Sequence, residues 1–304
     1  MTYLRRLPKF EFVSPDSLAP LCALKAGADN GEMMLVAGGT DALLQMRRRE
    51  VSPRCVVGMK AIGELDYIRE DADGGLSIGA MTPLETLVSA PLLKGPFDVL
   101  RDTAGQIGGV ELRNVATIGG NIAGALPCAD MPPPLMTLGA EVKLSSDAGE
   151  RWVPLDELYA GYGRMAISDN EVLSEIRVPR PARASGSVYL KYHDRQSMDM
   201  TVIGVGVHVE LVPESGALKD VRLAYANGAP TTFRARKTEE VLRGEVLSDD
   251  LLFAAAEAAG KEAVPRANSW RADPEYRLAL IKSMTRRAVR RACEKALARG
   301  EAQS

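Results

Sequence analysis

The sequence predicts an α+β protein built as two units, and three observations carry that prediction. In the second half, three strand-like runs come first and helix-forming stretches follow, the order of a sheet with helices packed on it. In the first half, short β-type runs separated by Gly and Asp turns share the chain with two Gly-Gly pairs, Gly38-Gly39 and Gly119-Gly120. Between the halves, Pro179, Pro181 and the small residues through Ser187 mark a boundary. The expected units are residues 1–179, in lobes of about 1–55 and 56–179, and residues 185–304.

Residues 9–13 read as an extended start, and Ser14-Pro15-Asp16-Ser17 as a turn into a helix from Leu18. That helix sets Leu18, Leu21 and Leu24 on one buried face and stops at Gly27. Residues 33–36 rise as a strand into the first Gly-Gly pair, and Ala42, Leu43, Leu44 and Met46 continue as a helix. Its end, Arg47-Arg48-Arg49, suits the negative end of a helix dipole, and a solvated end is the simpler reading than an anion site. Residues 55–57, 65–68 and 76–80 read as short strands. Thr82-Pro83 opens one helix and residues 97–107 form another, whose end at Gly108-Gly109 leads to the second pair. A helix after Pro134 leads to a strand at 141–144, and residues 171–179 close the unit as a strand. In the second unit, 188–192, 202–211 and 221–226 are strand-like, and 236–243, 248–262 and 274–298 are helical. The last helix is basic on part of its circumference, through Arg286, Arg287, Arg290 and Arg291, which reads first as a solvated face.

Composition excludes more than it identifies. A net charge of -2, from 38 basic and 40 acidic residues among 304, gives no pull toward nucleic acid or an anionic membrane surface. Cys22, Cys55, Cys128 and Cys293 show no C-x-x-C spacing, so neither a zinc site nor an iron–sulfur cluster is expected in this chain. Reduced thiols in a cytoplasmic protein are the expectation. Charges interrupt every apolar run short of a membrane span, and the start Met1-Thr2-Tyr3-Leu4-Arg5-Arg6 has no hydrophobic signal core behind it. The two histidines, His193 and His208, lie in no G-x-S-x-G or H-E-x-x-H pattern, and His208 sits in an apolar strand pattern as a structural residue. The run Gly204-Val205-Gly206-Val207 lacks the third glycine and the helix of a dinucleotide fingerprint, and close packing of a strand explains it better. No G-x-x-x-x-G-K-[ST] is present.

The two glycine pairs are where chemistry can be built. Consecutive glycines remove both Cβ atoms and let backbone N–H groups turn toward an anion and approach it closely. In Val36-Ala37-Gly38-Gly39-Thr40-Asp41, Thr40 or Asp41 is placed to cap the following helix; in the second stretch Thr117 and Asn121 add side-chain donors. Either pair alone is more simply a turn among 28 glycines, whereas the two together suit one diphosphate. A chain that holds a diphosphate without a dedicated lysine or metal leaves the difficult chemistry to whatever is attached to it, and a flavin meets that description.

The wider spelling Leu112-Arg113-Asn114-Val115-Ala116-Thr117-Ile118-Gly119-Gly120-Asn121, then Pro127, Asp130, Pro132-Pro133-Pro134 and an apolar segment ending Leu138-Gly139-Ala140, resembles the FAD-binding subunit of the molybdenum hydroxylases. This is the family of carbon monoxide dehydrogenase, xanthine dehydrogenase and 4-hydroxybenzoyl-CoA reductase, and the resemblance covers nearly the whole chain. It implies a two-lobed FAD-binding domain of the vanillyl-alcohol-oxidase type, followed by a smaller α+β domain of the CO dehydrogenase flavoprotein type with a three-stranded sheet and helices. It implies that Ala37, Gly38, Gly39, Thr40 and Asp41, with Thr117, Ile118, Gly119, Gly120 and Asn121, embrace the FAD pyrophosphate. Asp130 would meet the ribityl or ribose region, Val172 and Leu173 would lie beside the isoalloxazine ring, and Lys191 would stand at the flavin edge. No residue of the chain would be catalytic in its own right. The implied partners are a molybdopterin-binding large subunit and a small subunit with two [2Fe–2S] clusters, in a dimer of heterotrimers that passes electrons through FAD to a terminal acceptor.

Two departures limit the resemblance. Only Cys128 lies in the short segment between Asn121 and Asp130, so the extra cysteine-bearing insertion of the reductase branch is missing. Met200 stands where the carbon monoxide dehydrogenase branch tends to place an aromatic near the flavin, so carbon monoxide chemistry does not transfer. Two other readings stay open at the level of sequence. One is a free-standing flavin oxidase or reductase, in which a histidine often attaches the flavin where this chain has Thr40; the other is a non-catalytic nucleotide-binding or assembly module.

Overall fold

The computed structural model describes residues 6–27, 31–195, 197–269 and 271–301; residues 1–5 of the chain start and Gln196 of the 193–200 stretch lie outside the described residues. The first lobe runs β1 (Glu11–Val13), α1 (Leu18–Ala26), β2 (Met33–Val36), α2 (Ala42–Arg48) and β3 (Cys55–Gly58). Its three strands form a parallel sheet in the order β1-β3-β2. Because β3 is the central strand, the lobe continues past the division expected near residue 55. Leu21 of α1 and Val57 of β3 pack with Met59, Ile62 and Leu65 in its core. Arg49 ends α2 in a left-handed conformation, φ 63°, and its guanidinium donates to Met46 O at 2.8 Å and Arg6 O at 2.7 Å. The basic run therefore closes the helix through hydrogen bonds as well as through its charge.

The second lobe comprises β4 (Ile68–Glu70), β5 (Leu76–Gly79), α3 (Leu84–Ser89), α4 (Asp98–Gly105), α5 (Val110–Arg113), α6 (Ile118–Ala123), α7 (Pro132–Thr137), β6 (Glu141–Ser146), β7 (Gly149–Pro154), β8 (Tyr159–Gly161), β9 (Arg164–Met165) and β10 (Val172–Val178). Five of these strands make an antiparallel sheet in the order β4-β5-β10-β6-β7, and β8 and β9 form a separate hairpin. The strand expected over 65–68 begins only at Ile68. Residues Gly63–Leu65 instead form a single 3-10 turn, because Leu65 is drawn into the first lobe's core and its carbonyl accepts Met81 N–H at 2.8 Å.

The C-terminal unit contains β11 (Ser185–Tyr192), β12 (Ile203–Leu211), β13 (Leu218–Ala226), β14 (Phe233–Arg234), α8 (Arg236–Leu242), α9 (Asp249–Glu262) and α10 (Pro274–Glu301). Its antiparallel sheet follows chain order, the two-residue β14 adding to the three long strands. Val205, Val207 and Val209 alternate along β12 in one apolar core with Ile281, Ala288 and Val289 of α10. The opposite face of the sheet receives α7. A Cβ on Gly206 would lie 2.9 Å from Pro133 C, so the glycine run of β12 is explained by close packing, as its surroundings suggested. Among the described residues no helix is long and apolar enough to cross a membrane.

His208 of β12 is 5% exposed and shares a 2.8 Å hydrogen bond with Ser187 Oγ through Nδ1. Burial, then the charge of Arg222, pushes its pKa down to about 4, with Arg299 acting the same way and Asp220 opposing. Between its ordinary value of 6.5 and about 4, the unfolded chain binds a proton here that the folded chain refuses, so stability falls as pH falls through that window. The loss from this one group is on the order of 3 kcal/mol. Urea unfolding across that range should show His208→Gln losing less stability on acidification than the native chain; parallel losses would remove His208 as the cause.

Candidate cofactor site

The first glycine pair forms the loop between β2 and α2. The backbone N–H groups of Gly38, Gly39, Thr40 and Asp41 donate to no protein acceptor among the described residues, and all four residues retain solvent access. Gly39 has φ +72°, which turns successive amides toward one side as a nest for an anion. Gly38 is forced by contact: a Cβ there would lie 2.0 Å from Val115 O, so this loop rests on the backbone that leads into the second one. The expected capping by Thr40 or Asp41 is corrected. Asp41 occupies the N-cap position of α2, but its φ of -100° and ψ of -44° are helical, and its side chain makes no capping bond. Burial pushes its carboxyl pKa up.

The second pair is not a loop of free amides. Thr117 caps α6, accepting Gly120 N–H on Oγ1 at 3.0 Å, which places Ile118, Gly119 and Gly120 in the helix's first turn. Ile118 N–H donates to Thr82 O, Gly119 N–H to Ala80 O and Asn121 N–H to Thr117 O, at 3.0, 2.9 and 3.0 Å. The amides expected to face an anion are therefore consumed inside the protein, because the segment closes a helical turn directly after bridging Pro83. What this stretch offers is close approach. A Cβ on Gly119 would lie 2.5 Å from Ala80 O, and one on Gly120 would stand 3.6 Å from the Cβ of Ala37. The two glycine stretches thus meet through Ala37 and Gly120 and through Gly38 and Val115. Asn121 Oδ1 accepts Met131 N–H at 3.2 Å, leaving its NH2 as the free end.

Asp130 and Lys191 are brought together, and with each other. Asp130, 6% exposed, accepts the Tyr189 hydroxyl at 2.6 Å and the Thr201 hydroxyl on Oδ1, and the Lys191 ammonium on Oδ2 at 2.9 Å. Lys191 also donates to Gln106 O at 3.2 Å. Burial and then the adjacent carboxylate push the Tyr189 hydroxyl pKa well up, so it stays a proton donor to Asp130. Tyr189 and Thr201 were not singled out from the sequence, although the period of two along β11 puts Tyr189 on the same face as Lys191. Val172 and Leu173 open β10, buried to 2% and 6% exposure, Val172 in the first lobe's core and Leu173 in the second's. Ser174 O accepts Ala80 N–H at 3.0 Å, which ties the strand that carries them to the residue whose carbonyl accepts Gly119 N–H.

Comparison with known proteins identifies the class. A family model described as the FAD binding domain in molybdopterin dehydrogenase matches residues 8–181, and one described as the CO dehydrogenase flavoprotein C-terminal domain matches 188–292. The chain is 34% identical to the putative xanthine dehydrogenase FAD-binding subunit of Escherichia coli (strain K12), over 92% of this chain and 96% of that protein. It is 33% identical to the carbon monoxide dehydrogenase medium chain of Hydrogenophaga pseudoflava, over 93% and 96%. A solved carbon monoxide dehydrogenase structure from Hydrogenophaga pseudoflava superposes with a TM-score of 0.90 at 32% identity, covering 97% of this chain and 99% of that one. Quinoline 2-oxidoreductase from Pseudomonas putida 86 gives 0.87 at 26% identity, covering 96% and 99%. Fold and sequence together define an oxidoreductase flavoprotein subunit. The chain belongs to the family of FAD-binding subunits of the molybdenum hydroxylases.

Replacing Asp130 by Asn would leave the Lys191 ammonium, whose side chain is 3% exposed, buried without a counter-charge. Breaking such a pair costs about 3–5 kcal/mol. Denaturant unfolding of Asp130→Asn should show that loss, and adding Lys191→Met should recover much of it; equal stability of the single variant and the native chain would contradict the coupling.

Proposed function

We propose that this chain carries FAD in a cytoplasmic complex with a molybdopterin-binding large subunit and a small subunit holding [2Fe–2S] clusters, assembled as a dimer of heterotrimers, and passes electrons from those clusters to a terminal acceptor. The observation that carries the reading is the nest of unpaired amides at Gly38–Asp41 held against the Gly120 face of α6. It fits a diphosphate in two respects. Four N–H groups without a protein acceptor among the described residues are free to meet an anion, and the missing Cβ of Gly120 leaves room for its close approach. FAD, when bound, supplies the redox chemistry that no side chain here can supply.

The residues of the chain then bind and orient. Ala37, Gly38, Gly39, Thr40 and Asp41 form one wall for the pyrophosphate. Thr117, through its hydroxyl proton, and Asn121, through its NH2, are the donors left on the other wall beside Ile118, Gly119 and Gly120. Asp130 has one acceptor position of about four remaining for a ribityl or ribose hydroxyl. Lys191 holds Asp130 in place through their ion pair at the flavin edge, and Val172 and Leu173 back the site with apolar surface. Neither glycine stretch contains a histidine, so a covalent flavin link at Thr40 and proton transfer to an organic substrate are both unsupported by the residues present. Substrate choice falls to the large subunit on this reading. The relatives named for xanthine and carbon monoxide dehydrogenases share the fold of this chain across different substrates.

Acid denaturation should release free FAD from the purified chain, and Gly120→Ala, whose new Cβ meets Thr117 Oγ1 at 3.0 Å, should fold yet bind FAD at least ~10-fold more weakly. Full flavin content in a folded Gly120→Ala would place the diphosphate elsewhere. In the assembled complex stripped of flavin, stopped-flow spectra should show substrate still bleaching the iron–sulfur absorption while steady turnover with the acceptor fails. Oxidation of a substrate by the isolated chain would replace this reading with that of a free-standing oxidase.

A further inference from the structure

A second positively charged site lies on the C-terminal side of the same region. Arg277, at the start of α10, is 1% exposed; Nη2 donates to Ser269 Oγ at 2.5 Å, Nη1 reaches Asn227 O at 3.5 Å, and Nε has no partner among the described residues. Arg266, on the segment between α9 and α10, also has a buried Nε without a partner, while its guanidinium stacks over the Tyr162 ring at 4.7 Å. Asn227, 3% exposed and held at φ 60°, has an unpartnered Oδ1.

These groups are gathered by the backbone. Val264 N–H donates to Gly228 O at 2.9 Å, which brings the segment carrying Arg266 onto the residue next to Asn227. Asn227 N–H in turn donates to Pro127 O at 2.7 Å and its NH2 to Thr201 O at 2.5 Å. Pro127 and Thr201 flank Asp130, and the adjoining Met131 is bound by Asn121 of α6. The arginines thus sit against the far side of the segment that carries Asp130.

Their charge is uncompensated. Arg271 is paired with Asp199 at 2.9 Å, but neither Arg266 nor Arg277 has a carboxylate within ion-pair distance among the described residues. After burial, the charge of Arg266 and then that of Arg271 weigh against protonated Arg277, and the neighbouring Cys128, its thiol pKa pushed up to about 11 by burial, stays neutral and offers no counter-charge. A buried cation without an anion is expensive, and a water molecule would satisfy the hydrogen-bonding atoms while leaving the charge as it is.

We propose that Arg266, Arg277 and Asn227 bind a phosphate-class anion, the guanidinium Nε–H groups donating to its oxygens and Asn227 Oδ1 accepting from a P–OH or an adjoining sugar hydroxyl. The anion has two sources of the same chemistry: the diphosphate of FAD, which rests on the reading proposed above, or a phosphate-bearing dinucleotide oxidant. Arg266 retains partial exposure, whereas Arg277 is enclosed.

The test uses the full chain freed of flavin, with inorganic pyrophosphate as the probe and the thermal midpoint as readout. Arg277→Met should raise the midpoint of the ligand-free chain, because an apolar group of similar length replaces an unpaired charge, and should lose at least about half of the pyrophosphate-induced rise. Arg266→Met, at a less buried position, should lose a comparable share and serves where Arg277→Met fails to fold. Titration with FAD and with a nicotinamide dinucleotide then separates the sources: the ligand whose affinity falls at least ~10-fold in both variants is the one bound. A pyrophosphate response unchanged in both variants overturns the proposal, and leaves the glycine-loop reading intact if Gly120→Ala abolishes that response.

Discussion

A carboxylate taken out of water holds this structure together. Asp130 can be buried to 6% exposure only because two hydroxyls and an ammonium point at it, and those donors come from the other half of the chain, on β11 and just before β12. The segment around it is fixed in both directions. Met131 N–H is bound by Asn121 of α6, Pro127 O by Asn227 after β13, and the triple proline of α7 lies against Gly206 of β12. Moving the C-terminal sheet would therefore strip the charge of its partners and pull on the helix that carries the second glycine pair.

Local signals in the sequence located most of the elements and left their pairing undecided. Apolar runs ending in glycine gave β2 and β5, and the long α10 follows from its composition and spacing. The 3-10 turn at Gly63–Leu65 was not legible, since a β-type apolar residue reads the same whether it extends a strand or drops into a neighbouring core. Nor was the membership of β3 in the first sheet, because parallel pairing joins segments far apart in the chain and leaves no local mark.

The site divides along the same line. Glycine was informative at Gly38 and Gly119 because backbone approach excludes a Cβ there, a constraint that belongs to the residue itself. The fate of the amides was not legible, since hydrogen bonds from Ile118 and Gly119 to Thr82 and Ala80 depend on a strand end contributed by another part of the lobe. An arginine between two helices and another in a helix's first turns read in one dimension as solvated charge. Only the fold shows Arg277 enclosed and Arg266 drawn in beside it.

The amide nest and the arginine site differ in how they meet an anion, and the difference bears on what binding does to the protein. The amides at Gly38–Asp41 are neutral, remain near solvent and cost little when empty, so they offer geometry. The arginines at Asn227 are buried with like charge, so the ligand-free state bears a penalty that an anion removes. Because the 127–131 segment touches Asn121 on one side and Asn227 on the other, neither wall can shift without disturbing the Asp130 cluster between them. A ligand that bound the folded arrangement alone would stabilise it by mass action. An anion seated at the arginines, from either source, would neutralise charge at the joint between the halves, so the chain would be held in one arrangement most firmly when that site is filled.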